Sequence, residues 1–189
     1  MPQWVRKAVL RHTWLDACTC VRFPSRPMLT LLVRVADLRL AFPADAVQAI
    51  HRAVLIAPLP GAPAVIEGVV HVHGEPIAVV DLCERLALPP RPVLSPDEHL
   101  LVLSAGGRRV AVRVDEAIEL RDVDDRALAR GEGIIAAART IAGVARLEDG
   151  TVTMHDPAAF LTQAEEDALA HAMTENAGMA GLQAAGGAA

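Results

Sequence analysis

Aromatic residues make up only 3% of this 189-residue chain, and tyrosine is absent. That excludes the stacking platform on which single-stranded nucleic acids are held. It also means that the core is packed from Val, Leu, Ile and Ala, which the 52% hydrophobic content supplies. Excess positive charge is missing too. The formal net charge is −5, so no global field draws nucleic acid or an anionic membrane to the chain. Cysteine is scarce: Cys18, Cys20 and Cys83 form no Cys-x-x-Cys pair and no even-numbered framework, which fits a reducing, cytoplasmic setting. No long apolar run occurs. The longest uncharged one, Ala53 to Ile66, is interrupted by Pro58, Pro60 and Pro63 and is too short to span a bilayer. Arg6, Lys7 and Arg11 break up the segment where the apolar core of a signal peptide would lie. Enzyme signatures are lacking as well. Gly106-Gly107 opens no helix and so makes no phosphate loop, and there is no Gly-x-Ser-x-Gly. No enzyme activity and no cofactor are expected.

What is present begins with residues 1–27, which hold five basic residues, one acid and both tryptophans. This reads as an extension, flexible or docked, and Met28 after it is a possible start of the natural chain. Leu29 to Phe42 alternates apolar and polar positions, with Arg34 and Arg39 off the apolar face, as a half-buried antiparallel hairpin does. Pro43 ends it, and Val47 to Leu55 reads mostly as a strand because of its β-branched residues. The central stretch, Ala57 to Leu86, runs as a proline loop, a hairpin broken at His73-Gly74-Glu75, the acidic stop Asp81 and room for one helical turn. A proline-rich linker lies within Leu88 to Asp97. A second hairpin follows, Leu100 to Leu103 and Val110 to Val114 about Gly106-Gly107, and then a strand, Ala117 to Val123. Residues 124–140 form a charged connection. Residues 162–189 carry four acids and no base, with a helix expected near Ala164 to Met173 and disorder beyond it.

The central stretch recurs. Ile66-Glu67-Gly68-Val69 matches Ile141-Ala142-Gly143-Val144, and thirteen residues separate Gly68 from Asp81 and Gly143 from Asp156. Five separate Asp81 from Leu86 and Asp156 from Leu161. A hairpin precedes each unit. Two related units of about five short strands follow, each of roughly 65 residues and too small to stand alone, so two small barrels sharing a core are expected. Their bounds would be about 28–88 and 97–161.

Several residues invite chemistry. His71 and His73 are two apart, which on a strand places them on one face. With His51 or His99 they would make a metal site, although no third ligand stands at a diagnostic spacing. Asp81 and Asp156 each precede a short helix, where capping is the sufficient explanation and a catalytic carboxylate pair the alternative. Cys83 reads as a small buried apolar residue.

The segment APLPGAPAVIEGVVHVHGEPIAVVDL (57–82) resembles the signature of the CheW-like adaptor domain family. That pattern reads Pro-Gly-x-Pro, then Gly-Val-Ile-Asn-Leu-Arg-Gly, then Pro-Val-x-Asp-Leu. The resemblance runs from about Leu29 to Leu161. It takes in Pro60, Gly61, Gly74 and Asp81, the Val114-Asp115 pair, and the Gly143 to Asp156 ending. It implies an all-β fold with short helices: two five-stranded SH3-like barrels packed on each other. It further implies a non-catalytic adaptor, in the cytoplasm or recruited to membrane receptor arrays. There it would couple chemoreceptor tips to the regulatory domain of a CheA-like histidine kinase through apolar patches and sheet edges. The contact positions it implies here are Val47, Ile50, Gly68, His71 and His73. Four positions depart from the pattern: the arginine falls on His73, the asparagine on His71, a glutamate on Ala49 and a proline on Ala78. An imidazole lacks the two-pronged donor geometry of a guanidinium. Two other readings therefore stay open, an adaptor for surface motility or polar localisation and a metal-binding protein using His51, His71 and His73.

Overall fold

The computed structural model describes residues 27–90, 95–124, 128–129 and 140–186; expectations for the N-terminal extension and for most of 124–140 lie outside them. β1 (Pro27–Val35) and β2 (Leu38–Pro43) form the first hairpin, turned at Ala36-Asp37. It is buried on both faces rather than one. Leu31, Val33, Leu40 and Phe42 face one core, and Leu32 and Ala41 face another. Its charged side chains lie only near the turn, where Arg34 is exposed and Arg39 half-buried, while the buried Thr30 at the far end donates its hydroxyl to the Arg121 carbonyl. After a 3₁₀ turn (Ala44–Ala46), β3 (Val47–Arg52) is a strand as its composition predicts. The proline segment then leads to β4 (Ile66–Val72), β5 (Glu75–Val80) and the single turn α1 (Leu82–Arg85).

The second half repeats this order. It comprises β6 (His99–Ala105), β7 (Arg108–Val114), β8 (Glu116–Asp124), β9 (Leu128–Ala129), β10 (Ile141–Leu147) and β11 (Gly150–His155). A 3₁₀ turn (Pro157–Ala159) and the helix α2 (Gln163–Gly186) follow. The duplication is visible in the pairing itself. β4–β5 carries a bulge between Ile66 and Gly68, and β10–β11 carries one between Ile141 and Gly143. Behind the bulges, the Asp81 N–H donates to the Val65 carbonyl at 2.8 Å and the Asp156 N–H to Thr140 at 2.9 Å.

Strand order corrects the division into 28–88 and 97–161. The sheets run β8-β1-β2-β11-β10-β9 and β3-β6-β7-β5-β4. Each barrel thus takes three main strands from one half and the first hairpin of the other. Parallel pairs join them, Leu40 opposite Thr153 and Ala78 opposite Val110. The physical reason is burial. A half this small cannot enclose a core alone, and exchanging hairpins gives each barrel its own core plus a third between them. Leu31, Phe42, Val80, Leu101, Val112 and Phe160 meet in that shared core.

α2 is also longer than expected, running past Met173 to Gly186. Its many alanines favour helix, it contains no proline, and they carry the helix past Gly178 and Gly181. Leu169 and Ala172 are buried against the body, and Met173 packs on the shared core. No helix among the described residues is long and apolar enough to cross a membrane.

Candidate functional site

β3 and β4 are the outer strands of the five-stranded sheet, and the chain after β3 curls back onto β4. Ala57 and Val69 exchange two backbone hydrogen bonds there, 2.9 and 2.8 Å long. Gly68 lies beneath this crossing. A Cβ on it would collide with the Ala57 carbonyl and come within 2.7 Å of the Ile56 side chain, so only glycine fits. Gly143 has the same place in the second barrel, where its neighbour is the Leu128 side chain. Gly68 is buried. Its role is to admit the crossing chain.

The other expected contact positions divide. Ile50 points outward at 44% exposure, with Val54 and the 88%-exposed Leu55 following it. Val47 is half-buried and packs on the shared core instead. His71 is exposed on β4. His73 is not on the strand at all, which corrects the shared face inferred from spacing. It occupies the hairpin turn with φ +54°, followed by Gly74 at +84°, the two positive angles of a tight hairpin turn. Histidine is among the residues that tolerate this conformation best. From the turn its ring meets His51 on β3 edge to face, centroids 6.2 Å apart.

Two histidines do not make a metal centre. Among the described residues no three His, Cys, Asp or Glu side chains are grouped to hold an ion, so the His51, His71 and His73 site lacks its third ligand. Neither is there a carboxylate pair. Asp81 Oδ1 accepts the N–H groups of Cys83 at 2.8 Å and Glu84 at 3.3 Å, and Asp156 Oδ1 accepts that of Ala158 at 2.9 Å. Both are caps. Asp115 is structural too: its Oδ2 accepts the Ala36 N–H at 2.6 Å beside Arg34, tying the first turn to the β7–β8 corner behind the buried Val114. Pro60 and Gly61 form the turn of the proline loop, and Cys83 is buried.

Two features escape the sequence reading. His71 borders a slot of about 230 Å³ whose other walls include Leu59, Val69, Pro76 and, from α2, Met173 and Asn176. The edge of the other sheet exposes Leu120 at 60%, with Ile118 and Leu29 exposed beside it. Leu120 pairs with Leu31, so it and Leu29 lie on one face. Ile118 and Leu120 look like core positions by periodicity, and nothing local marks them as an edge.

Charge is concentrated elsewhere. Asp149, in the β10–β11 turn, accepts Arg39 at 2.8 Å and Arg121 at 2.7 Å, and these two guanidiniums hold its carboxyl down to about 2. Burial pushes the His155 imidazole down to about 4. Its ring lies between Phe42 and Phe160, with Nε2 3.1 Å from the Thr153 hydroxyl.

The CheW-like domain family model matches residues 29–165, spanning both barrels. No curated protein matches the chain. Among solved structures, the scaffolding protein TtCheW from Thermoanaerobacter tengcongensis superposes with a TM-score of 0.64 at 20% identity. That superposition covers 69% of this chain and 90% of that one, and it carries the same two-barrel architecture. The exchanged hairpins, the paired bulge glycines and the two capped turns all lie within the matched residues, and this chain belongs to the CheW-like domain family.

Proposed function

We propose that this chain is a non-catalytic adaptor that couples chemoreceptor tips to the regulatory domain of a histidine kinase. The observation that supports this most is the family match across both barrels, residues 29–165. The outward apolar residues Ile50, Val54 and Leu55 beside the β3 edge supply the surface that a binding module needs. A kinase regulatory domain of the same fold would add its barrel to one end of this one. The receptor's helical tip would meet the first barrel near Ile50, His71 and His73. The site of action would be the cytoplasm, at receptor arrays. Affinity capture from the native cell tests the reading. Recovery of a receptor and a histidine kinase together, lost on Ile50→Asp with folding unchanged, is the expected result; recovery of neither overturns it.

A second reading rests on the changed polar positions. Ala49, His71 and His73 stand where the family pattern has Glu, Asn and Arg, and neither alanine nor imidazole offers a carboxylate or a guanidinium. An adaptor for surface motility or polar localisation accounts for that change, and the same capture separates it by the identity of what is recovered.

A further inference from the structure

The chain enters β1 at Pro27, at the margin of an uncovered apolar face. On β1 this face closes the shared core, where Leu31 and Val33 are buried. One strand further out it continues onto β8, the last strand of its sheet, and nothing among the described residues covers it there. Leu120, opposite Leu31, is 60% exposed and Leu29 is 47% exposed. Ile118, the extra residue of the β1–β8 bulge, is exposed next to them. An apolar patch of this kind marks a contact surface.

The rim of the patch is acidic. Asp122 lies opposite Leu29 and Asp124 opposite Pro27, both exposed. Glu116 and Glu119 on the same strand are paired with Arg34 and Arg121, whereas Asp122 makes no ion pair among the described residues. The segment before Pro27 has the opposite sign, with Arg6, Lys7, Arg11, Arg22 and Arg26 against Asp16 alone. It also holds Trp4, Trp14 and Phe23, while the body closes its core on the only other aromatic residues, Phe42 and Phe160. The second exposed apolar group, Ile50, Val54 and Leu55, flanks Arg52 and belongs to the other sheet, so both charge and position favour the β8 face for this segment.

We propose that residues 1–26 of this chain fold back over the outer face of β8, setting aromatic side chains on Leu29, Ile118 and Leu120 and basic ones against the acidic rim at Asp122. The reach is short. Leu31, which pairs with Leu120, is four residues along β1 from Pro27, about 13 Å at roughly 3.3 Å per residue. Because the segment is tethered at that margin, it meets the face at a high effective concentration, and any partner seeking the same face has to displace it. Docked there, it also shields an edge strand that another chain could pair with, and it leaves the apolar residues along β3 open. This goes beyond the adaptor reading and does not depend on which receptor or kinase is bound.

Tryptophan emission of the full chain tests this, because Trp4 and Trp14 are the chain's two tryptophans and both lie in the segment. A synthetic peptide of residues 1–26 sets the emission of the undocked state. The wild type should emit to the blue of that peptide and resist acrylamide quenching, equally at every concentration of a dilution series. Leu120→Asp should move the emission to that of the peptide while amide protection in the strands stays as in the wild type. Asp122→Lys, which changes an exposed charge and leaves the apolar face intact, should move it in the same direction, and it carries the test if Leu120→Asp fails to fold. The proposal is overturned if the wild type emits like the peptide. It is overturned equally if a folded variant keeps the wild-type emission, which places the tryptophans elsewhere on the chain. Loss of the blue shift on dilution overturns it too, since the segment would then dock on a second copy.

Discussion

Acidification should weaken this fold through His155. The imidazole is 1% exposed between Phe42 and Phe160, and burial lowers it from its ordinary 6.5 to about 4. The folded state therefore keeps His155 neutral where an unfolded chain protonates it, so below about pH 6.5 the unfolded state binds more protons. Stability is whole above that pH and falls as the pH drops towards 4. At about 1.4 kcal/mol per unit, the full effect is about 3 kcal/mol, most of it gone by pH 4.5. Denaturant titrations at pH 7 and pH 4.5 read this directly. The wild type should lose roughly 2.5 kcal/mol between them. His155→Phe should keep the aromatic packing, lose the Thr153 contact and show a much flatter profile over the same interval. Equal losses in the two proteins would refute the assignment. Asp149, held near 2, adds little in this window because its own loss begins at lower pH.

The paired glycines should differ when substituted. Gly68→Ala drives a methyl into the Ala57 backbone and should cost about 3 kcal/mol, whereas Gly143→Ala meets the movable Leu128 side chain and should cost about 1 kcal/mol, both read from denaturation midpoints. Asp81→Ala removes a cap that takes two N–H groups and should cost about 1 kcal/mol, with Asp156→Ala, which loses one, costing less. Partial burial raises the Glu165 carboxyl, but the Thr162 N–H and the Arg85 guanidinium outweigh it and hold the group below its ordinary range. Its contribution to docking α2 is thus present above the ordinary carboxylate range and lost as pH falls through the lowered value. Amide exchange in α2 should quicken there, and Glu165→Gln should remove that dependence.

Local signals carried well from sequence to structure. The caps at Asp81 and Asp156, the strand at Val47–Arg52 and the matched spacing from glycine to aspartate are properties of a few neighbouring residues, and all are found. What was hidden depends on distant partners. Nothing in Leu29 to Phe42 tells that this hairpin will pair with β8 and β11 rather than with the strands that follow it, and only the pairing places a core on each of its faces. α2 has too little apolar contrast to announce a buried side; its seat is set by residues far away in the chain, the shared core under Leu169 and Met173 and the ion pairs to Arg85 and Arg108. Periodicity misplaces His73 because the alternation that holds through His71 stops one residue before it, at a turn set by positive φ. The exposed Leu120 has a core residue's identity and an edge strand's position.

The central claim, that this chain bridges a receptor and a kinase, is tested most directly by titrating the purified protein with two binding partners. These are a receptor's helical signalling tip and the regulatory domain of a histidine kinase, both from the same cell, added singly and together by calorimetry. The account predicts that each binds one equivalent, that both bind at once, and that Ile50→Asp weakens the receptor interaction at least tenfold while leaving the fold intact. No heat of binding with either partner, from protein whose strands remain protected, would contradict it.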